Sequence, residues 1–343
     1  MIMKCYPWLE VIYFQILQSY RLKKGHHALI LDSKWNNGED VLIKMIIFWL
    51  MCSNPSETKF CDICNNCRLM SVGNHPNYFL LDLKNQQQSI GVDTLRNCIS
   101  SIYSSARYNK IKIIFIKYIE YLTEESIYIL LKVIEEPPVN TYFFLKSREY
   151  ITVPKPLLSR CIKWIINPPI ESVGLKWLIE KQKIGSFGDR LLLRTALRLS
   201  HRSPIEANFM LQSGIWQDRV LLCENLYHVI SDKKNFLEIL PFFNTAQYKN
   251  ISVYWLITLL MDALKNQQKL QKKFIINLDQ LELIRIIATT WNIVSLNNQL
   301  KQWWILFYYL QRFDNINREL LLTYRLLNWQ QDIVETSINL WGI

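Results

Sequence analysis

Between Lys112 and Cys161 the chain alternates short apolar runs with one capped helix pattern, and this constrains the fold more than any other stretch. Residues 111–116 form a β-branched and aromatic run, the pattern of a buried central strand. Thr123 stands where it can cap the next helix. Glu124 and Glu125 fall in its first turn, where the positive dipole end favours carboxylates. Ile127, Leu130, Leu131 and Ile134 repeat at i, i+3, i+4 and i+7 and define one apolar face. Pro137 and Pro138 stop the helix, and Tyr142 to Leu145 read as a second buried strand. Strand, helix and strand together predict one α/β unit of a parallel sheet.

Four cysteines carry the next signal. Cys61, Cys64 and Cys67 fit C-x-x-C-x-x-C, and Cys52 precedes them. Four thiolates at this spacing suit tetrahedral zinc in one compact knuckle and leave no open position for a catalytic water. An iron–sulfur cluster and a set of buried free thiols are the competing readings. His75 is a further candidate ligand in principle. His26 and His27 precede a strand at Ala28 to Leu31; neighbouring strand residues face opposite ways, which disfavours a metal site there.

The chain has 343 residues, enough for two or three domains, and half of them are hydrophobic, which excludes a disordered chain. Its net charge of +11 fits either a solvated basic face or contact with an acidic partner or nucleic acid. The most apolar stretch, Val41 to Cys52, is interrupted by Lys44 and is too short for a spanning helix of ~20 residues. Pro7, Glu10 and Gln15 break any signal-peptide layout, so a cytoplasmic location is expected.

Leu130-Leu131-Lys132, Glu135-Glu136-Pro137-Pro138 and Ser159-Arg160-Cys161 follow one another in order and spacing. The ordered set resembles the core of clamp-loader ATPase domains, a branch of the AAA+ group. Pro7-Trp8-Leu9, Gly25-His26-His27-Ala28-Leu29, the four cysteines and Asn317-Arg318-Glu319-Leu320-Leu321 extend the resemblance over nearly the whole chain, to clamp-loader subunits of bacterial DNA polymerase III. It implies an α/β AAA+-like parallel-sheet domain over residues 1–167 with a zinc module inserted at 52–67. A small helical lid domain at 168–210 and an all-α collar domain at 211–343 would follow. Arg202 stands where the lid pattern expects glycine before Ser203-Pro204.

A working phosphate loop reads G-x-x-x-x-G-K-[ST]: backbone N–H groups cradle phosphate, the lysine reaches the outer phosphates and the hydroxyl holds magnesium. In the resemblance this loop falls on Asp32 to Asp40. Gly38 keeps the second glycine, but Glu39 stands at the lysine and Asp40 at the hydroxyl. Two carboxylates there repel a triphosphate. The family's magnesium-holding Asp and water-activating Glu fall on Lys117 and Tyr118, with Glu120 three positions late. A subunit that neither binds nor hydrolyses ATP is therefore expected.

Arg160 is the exception, because its motif is whole. In related oligomers this arginine reaches the γ-phosphate bound by a neighbour, where a cationic fork stabilises developing charge. The plainer reading is a surface arginine before a strand. Arg96, in Gly91-Val92-Asp93-x-x-Arg96, divides between a partner contact and a solvated helix residue.

The resemblance implies a hetero-pentamer with a clamp-opening delta subunit and gamma/tau-type ATPase subunits. Through that complex the chain would meet the sliding clamp and primed DNA. It implies structural zinc, no bound ATP and no intrinsic ATPase or polymerase activity, within a DNA-directed DNA polymerase holoenzyme. Two other readings stay open: a divergent active AAA+ ATPase, and a zinc-dependent DNA-binding protein. Glu39, Asp40, Lys117 and Tyr118 weigh against the first. No basic recognition helix follows the cysteines, which weighs against the second.

Overall fold

The computed structural model describes residues 5–83, 89–104, 111–148, 153–182, 187–232, 234–243, 250–313 and 316–339. The chain divides into two compact units, Met1–Pro169 and Ile170–Ile343. The first is built on strands β1 (Ala28–Asp32), β2 (Tyr78–Leu81), β3 (Lys112–Ile116), β4 (Thr141–Ser147) and β5 (Ile162–Ile165). All pair parallel, in the order β2-β3-β4-β1-β5. Ala28 lies opposite Phe143 and Asp32 opposite Ser147, so β1 and β4 end level with each other.

Alternation along the strands divides the core of this unit into two layers. Leu29, Leu31, Ile113, Phe115 and Phe144 pack on one side against α1 (Glu10–Arg21) and α2 (Glu39–Met51). Ala28, Ile30, Ile114, Ile116, Phe143 and Leu145 pack on the other against α4 (Val92–Ser104), α5 (Glu124–Glu135) and α6 (Lys155–Arg160). The remaining helix, α3 (Asn65–Val72), is capped by Cys64 and carries Cys67 in its first turn. With helices covering both faces, the strands read as continuous apolar runs, as buried parallel strands must.

The expected cap at Thr123 forms, its hydroxyl accepting from Ser126 N at 3.3 Å. Asp93, a residue type suited to capping, does not cap α4: the helix already begins at Val92, which places Asp93 in the first turn. Ile90 fixes this earlier start, since its N–H donates to Tyr121 O at 2.6 Å and it bridges to Leu122.

Among the described residues of the second unit, the regular secondary structure is all helical. It comprises α7 (Glu171–Gln182), α8 (Phe187–Leu199), α9 (Pro204–Gln212), α10 (Ile215–Ser231), α11 (Leu240–Phe243), α12 (Ile251–Gln267), α13 (Leu281–Thr290), α14 (Ile293–Arg312) and α15 (Arg318–Asn339). One continuous apolar core runs through it, and residues of both the expected lid and the expected collar contribute, from Leu178 to Trp329. Trp291, Trp303 and Trp329 are enclosed at its centre, with Trp291 and Trp329 stacked at 5.4 Å. Arg219, wholly buried, is held by Asp279 at 2.6 and 3.1 Å and by Asn277 at 2.8 Å. Among the described residues no helix is long and apolar enough to cross a membrane.

Candidate functional site

The loop between β1 and α2 carries the residues that the resemblance places on a phosphate loop. Gly38 caps α2 with φ of 92°, a left-handed conformation that favours glycine. The charges at the start of that helix are closed within the chain. Lys146 reaches in from β4 and places Nζ 3.0 Å from Glu39 Oε1 and 2.7 Å from Asp40 Oδ1. Lys146 and Glu39 are each only 3% exposed. Burial opposes the charge on Lys146, but Glu39 and Asp40 outweigh it and raise its pKa above the usual lysine value. Glu39 Oε2 also accepts from the Asn37 amide at 2.9 Å, a backbone N–H of the loop. Trp8 Nε1 donates to Asn37 O at 2.8 Å and ties α1's leading turn to the loop.

The residues that the resemblance places on the second nucleotide motif are also partnered within the chain. Lys117 pairs with Asp82 at 2.7 Å. The Tyr118 ring takes cation–π contacts from the Arg148 guanidinium at 4.3 Å, Lys146 Nζ at 4.8 Å and Lys117 Nζ at 5.9 Å. Glu120 Oε1 accepts from Ser147 Oγ and Arg148 N, both at 2.7 Å, which spends it on the end of β4.

Arg160 ends α6 and does not stand free. Its guanidinium pairs with Glu135 of α5 and donates to Pro156 O at 3.0 Å and Ser159 Oγ at 3.2 Å. Its neighbour Cys161 is pushed up to about 12 by burial.

Cys52, Cys61, Cys64 and Cys67 come together as the sequence spacing requires, with all four Sγ atoms within 4.8 Å of one another. A tetrahedron of 2.3 Å metal–sulfur bonds has edges of about 3.8 Å, so small adjustments complete the site. Amides of Cys61, Cys64 and Cys67 donate to the sulfurs of Cys52, Cys61 and Cys64 at 3.3, 3.3 and 3.4 Å. Burial opposes the Cys64 thiolate. Backbone hydrogen bonds at Ser53 and Cys67 and the neighbouring thiols outweigh it and bring its pKa down to about 6. The four-sulfur donor set and the closeness of its atoms fit a metal ion bound by four sulfurs. His75 lies outside this group: its Nδ1 accepts from Asn77 N at 3.1 Å, and it is buried.

His26 and His27, the pair ahead of β1, take structural contacts. His27 Nε2 donates to Ile134 O at 2.9 Å, and His26 contacts the Ala28 backbone. Their rings stack at 4.2 Å rather than facing opposite ways, because the pair precedes β1 instead of belonging to it. Arg96 is exposed and lies 3.9 Å from Asp93 on its own helix.

Sequence reasoning missed Lys146, Asp82 and Glu135. A lysine placed directly after the apolar run Tyr142 to Leu145 was the available signal, since a charge on a buried strand demands a partner. Nothing in local sequence points from Lys117 back to Asp82.

Residues 10–169 match the protein family described as "DNA polymerase III, delta subunit", and residues 213–331 match its C-terminal counterpart. The chain is 36% identical over 332 residues to DNA polymerase III subunit delta' of Buchnera aphidicola subsp. Schizaphis graminum, covering 96% of this chain and 98% of that one. It is 36% identical to the same subunit of Yersinia pestis, covering 96% of each chain. Against that of Escherichia coli K12 the identity is 33%, covering 95% of each chain. Such similarity, running end to end through the sheet and the cysteine cluster, shows that the chain belongs to the delta-prime subunit family of bacterial DNA polymerase III.

Proposed function

We propose that this chain is the ATP-inert subunit of a clamp loader, the assembly that opens a sliding clamp and places it on primed DNA. The observation that carries this reading is Lys146 bridging Glu39 and Asp40 at the mouth of the phosphate loop. A triphosphate there would meet two carboxylates, and the cation beside them is already paired. Magnesium would find no hydroxyl at Asp40 and no free acid at Lys117, Tyr118 or Glu120. The chain therefore acts by assembly rather than by its own ATPase or polymerase chemistry, within a cytoplasmic DNA-directed DNA polymerase.

Its partners are a delta subunit and gamma/tau-type ATPase subunits of a hetero-pentamer. In that setting residues 168–210 serve as the lid and 211–343 as the collar. Apolar surface supports the collar role. Trp304, Ile305, Tyr308 and Tyr309 on α14, with Leu320, Tyr324 and Leu327 on α15, are all exposed, more than a free helical unit needs to leave in water. Cys52, Cys61, Cys64 and Cys67 hold one zinc ion, which ties the end of α2 to the start of α3 and supplies rigidity, not catalysis. Arg160 acts in trans, on the γ-phosphate of an active neighbour. A rebuilt complex tests the assembly directly: this chain mixed with candidate delta and gamma/tau-type subunits should co-elute as one hetero-oligomer. Separate elution at micromolar concentrations contradicts the reading.

A further inference from the structure

Glu135 is the last residue of α5 and Arg160 the last of α6. The Glu135 carboxylate accepts from Nη2 of Arg160, while Nη1 donates to Pro156 O and Ser159 Oγ. Leu130 and Ile134 of α5 and Leu157 of α6 share one enclosed core beneath this contact, so the two backbones hold a fixed spacing. A carboxylate at a helix C-terminus faces the partial negative charge of unpaired carbonyls, an unfavourable place for it. Both partners are more than a third exposed, at 37% and 46%, so the pair does little for stability. Its position in the fold calls for another account.

We propose that Glu135 is a positioning residue for Arg160. It holds the guanidinium in one orientation, leaving the remaining N–H groups to meet an oxygen of a phosphate bound by a neighbouring subunit. This rests on the trans role given to Arg160 above. A free arginine side chain samples many rotamers, and ordering them at the moment of contact weakens the contact. A guanidinium already fixed through both Nη groups loses less on meeting the phosphate. Two motifs that stand apart in the chain, Glu135-Glu136-Pro137-Pro138 and Ser159-Arg160-Cys161, thus act as one device. Glu136, the next carboxylate, is exposed and makes no ion pair among the described residues, which makes it the internal control.

The test is the clamp- and primed-DNA-stimulated ATPase rate of a clamp loader rebuilt with Glu135→Ala, Glu136→Ala, Arg160→Ala and the Glu135→Ala/Arg160→Ala double variant. Each variant is first checked for entry into the complex and for unchanged metal content. Glu135→Ala should slow the rate about 2- to 5-fold, the range an exposed ion pair supplies. Glu135→Gln should fall between it and the parent, because the amide oxygen still accepts without charge. Glu136→Ala should leave the rate unchanged. The double variant should match Arg160→Ala alone, since Glu135 acts only through Arg160. Equal slowing by Glu135→Ala in both backgrounds, or a rate raised by Glu135→Ala, overturns the positioning role. A slow Arg160→Ala complex beside an unaffected Glu135→Ala complex overturns it and leaves the trans role of Arg160 intact. An unaffected Arg160→Ala complex removes both.

Discussion

Lys146 Nζ lies 3.0 Å from Glu39 Oε1, and both side chains are 3% exposed. One residue belongs to β4 and the other opens α2, so the contact stands where the resemblance puts a phosphate loop. In a working loop the lysine sits on the helix and its charge is reserved for phosphate. Here the lysine comes from a neighbouring strand and its charge meets protein carboxylates. Both carboxylates at the start of α2 are thus held by one cation from within the chain.

Removing one partner of this pair leaves a buried carboxylate without its cation. Lys146→Met should therefore destabilise the first unit by about 3–5 kcal/mol. Adding Glu39→Met should recover most of that loss, since apolar replacement of a whole buried pair is often neutral. Urea unfolding followed by tryptophan fluorescence reads both. Because the pKa of Lys146 is raised above its usual 10.5, the pair's contribution is fully present below that pH. It should fade only as the pH rises through the raised value.

Purified protein should contain about one zinc per chain, the load of a single four-cysteine site. Cys64→Ser should remove it, as measured by elemental analysis, and chelation should lower the melting temperature of the first unit. A full zinc load in the Cys64→Ser protein would show that the metal is held by other ligands.

Arg219 has no exposed side-chain surface and holds Asp279 from two nitrogens. Arg219→Ala should cost about 3–5 kcal/mol, the range for breaking a buried ion pair from one side. The loss should appear in the unfolding of the helical unit and leave the zinc content unchanged. A melting temperature equal to the parent's contradicts a structural role for this network.

A fragment ending at Pro169 keeps both apolar layers of the first unit and all four clustered cysteines. It should unfold cooperatively, retain its zinc and fail to join the complex. A fragment ending at Met210 should behave worse in solution, because it exposes part of the continuous core that runs from Leu178 to Trp329. Co-elution of the shorter fragment with the ATPase subunits would place the main contact outside the helical unit.

The sheet was legible because buried parallel strands read as short apolar runs, and each of those at Ala28, Lys112 and Thr141 lies within a residue or two of its sequence-based place. The cysteine cluster was legible from spacing alone. The start of α4 was not, because a backbone contact from Ile90 to Tyr121, far along the chain, sets it. The ion pairs Lys146–Glu39, Lys117–Asp82 and Arg160–Glu135 were equally hidden. Each joins residues that only the folded sheet and its helices bring together. The departures at Glu39, Asp40, Lys117 and Tyr118 from the phosphate-site pattern could be read from the chain, but their partners Lys146, Asp82 and Arg148 could not.

Equilibrium binding of labelled ATP to the pure, full-length protein with magnesium tests the central claim most directly. With Lys146 already paired to Glu39 and Asp40, no saturable binding should appear at ATP concentrations up to the millimolar range, about −4 kcal/mol of binding free energy. Saturable binding with a micromolar dissociation constant, abolished by excess unlabelled ATP, would contradict the account.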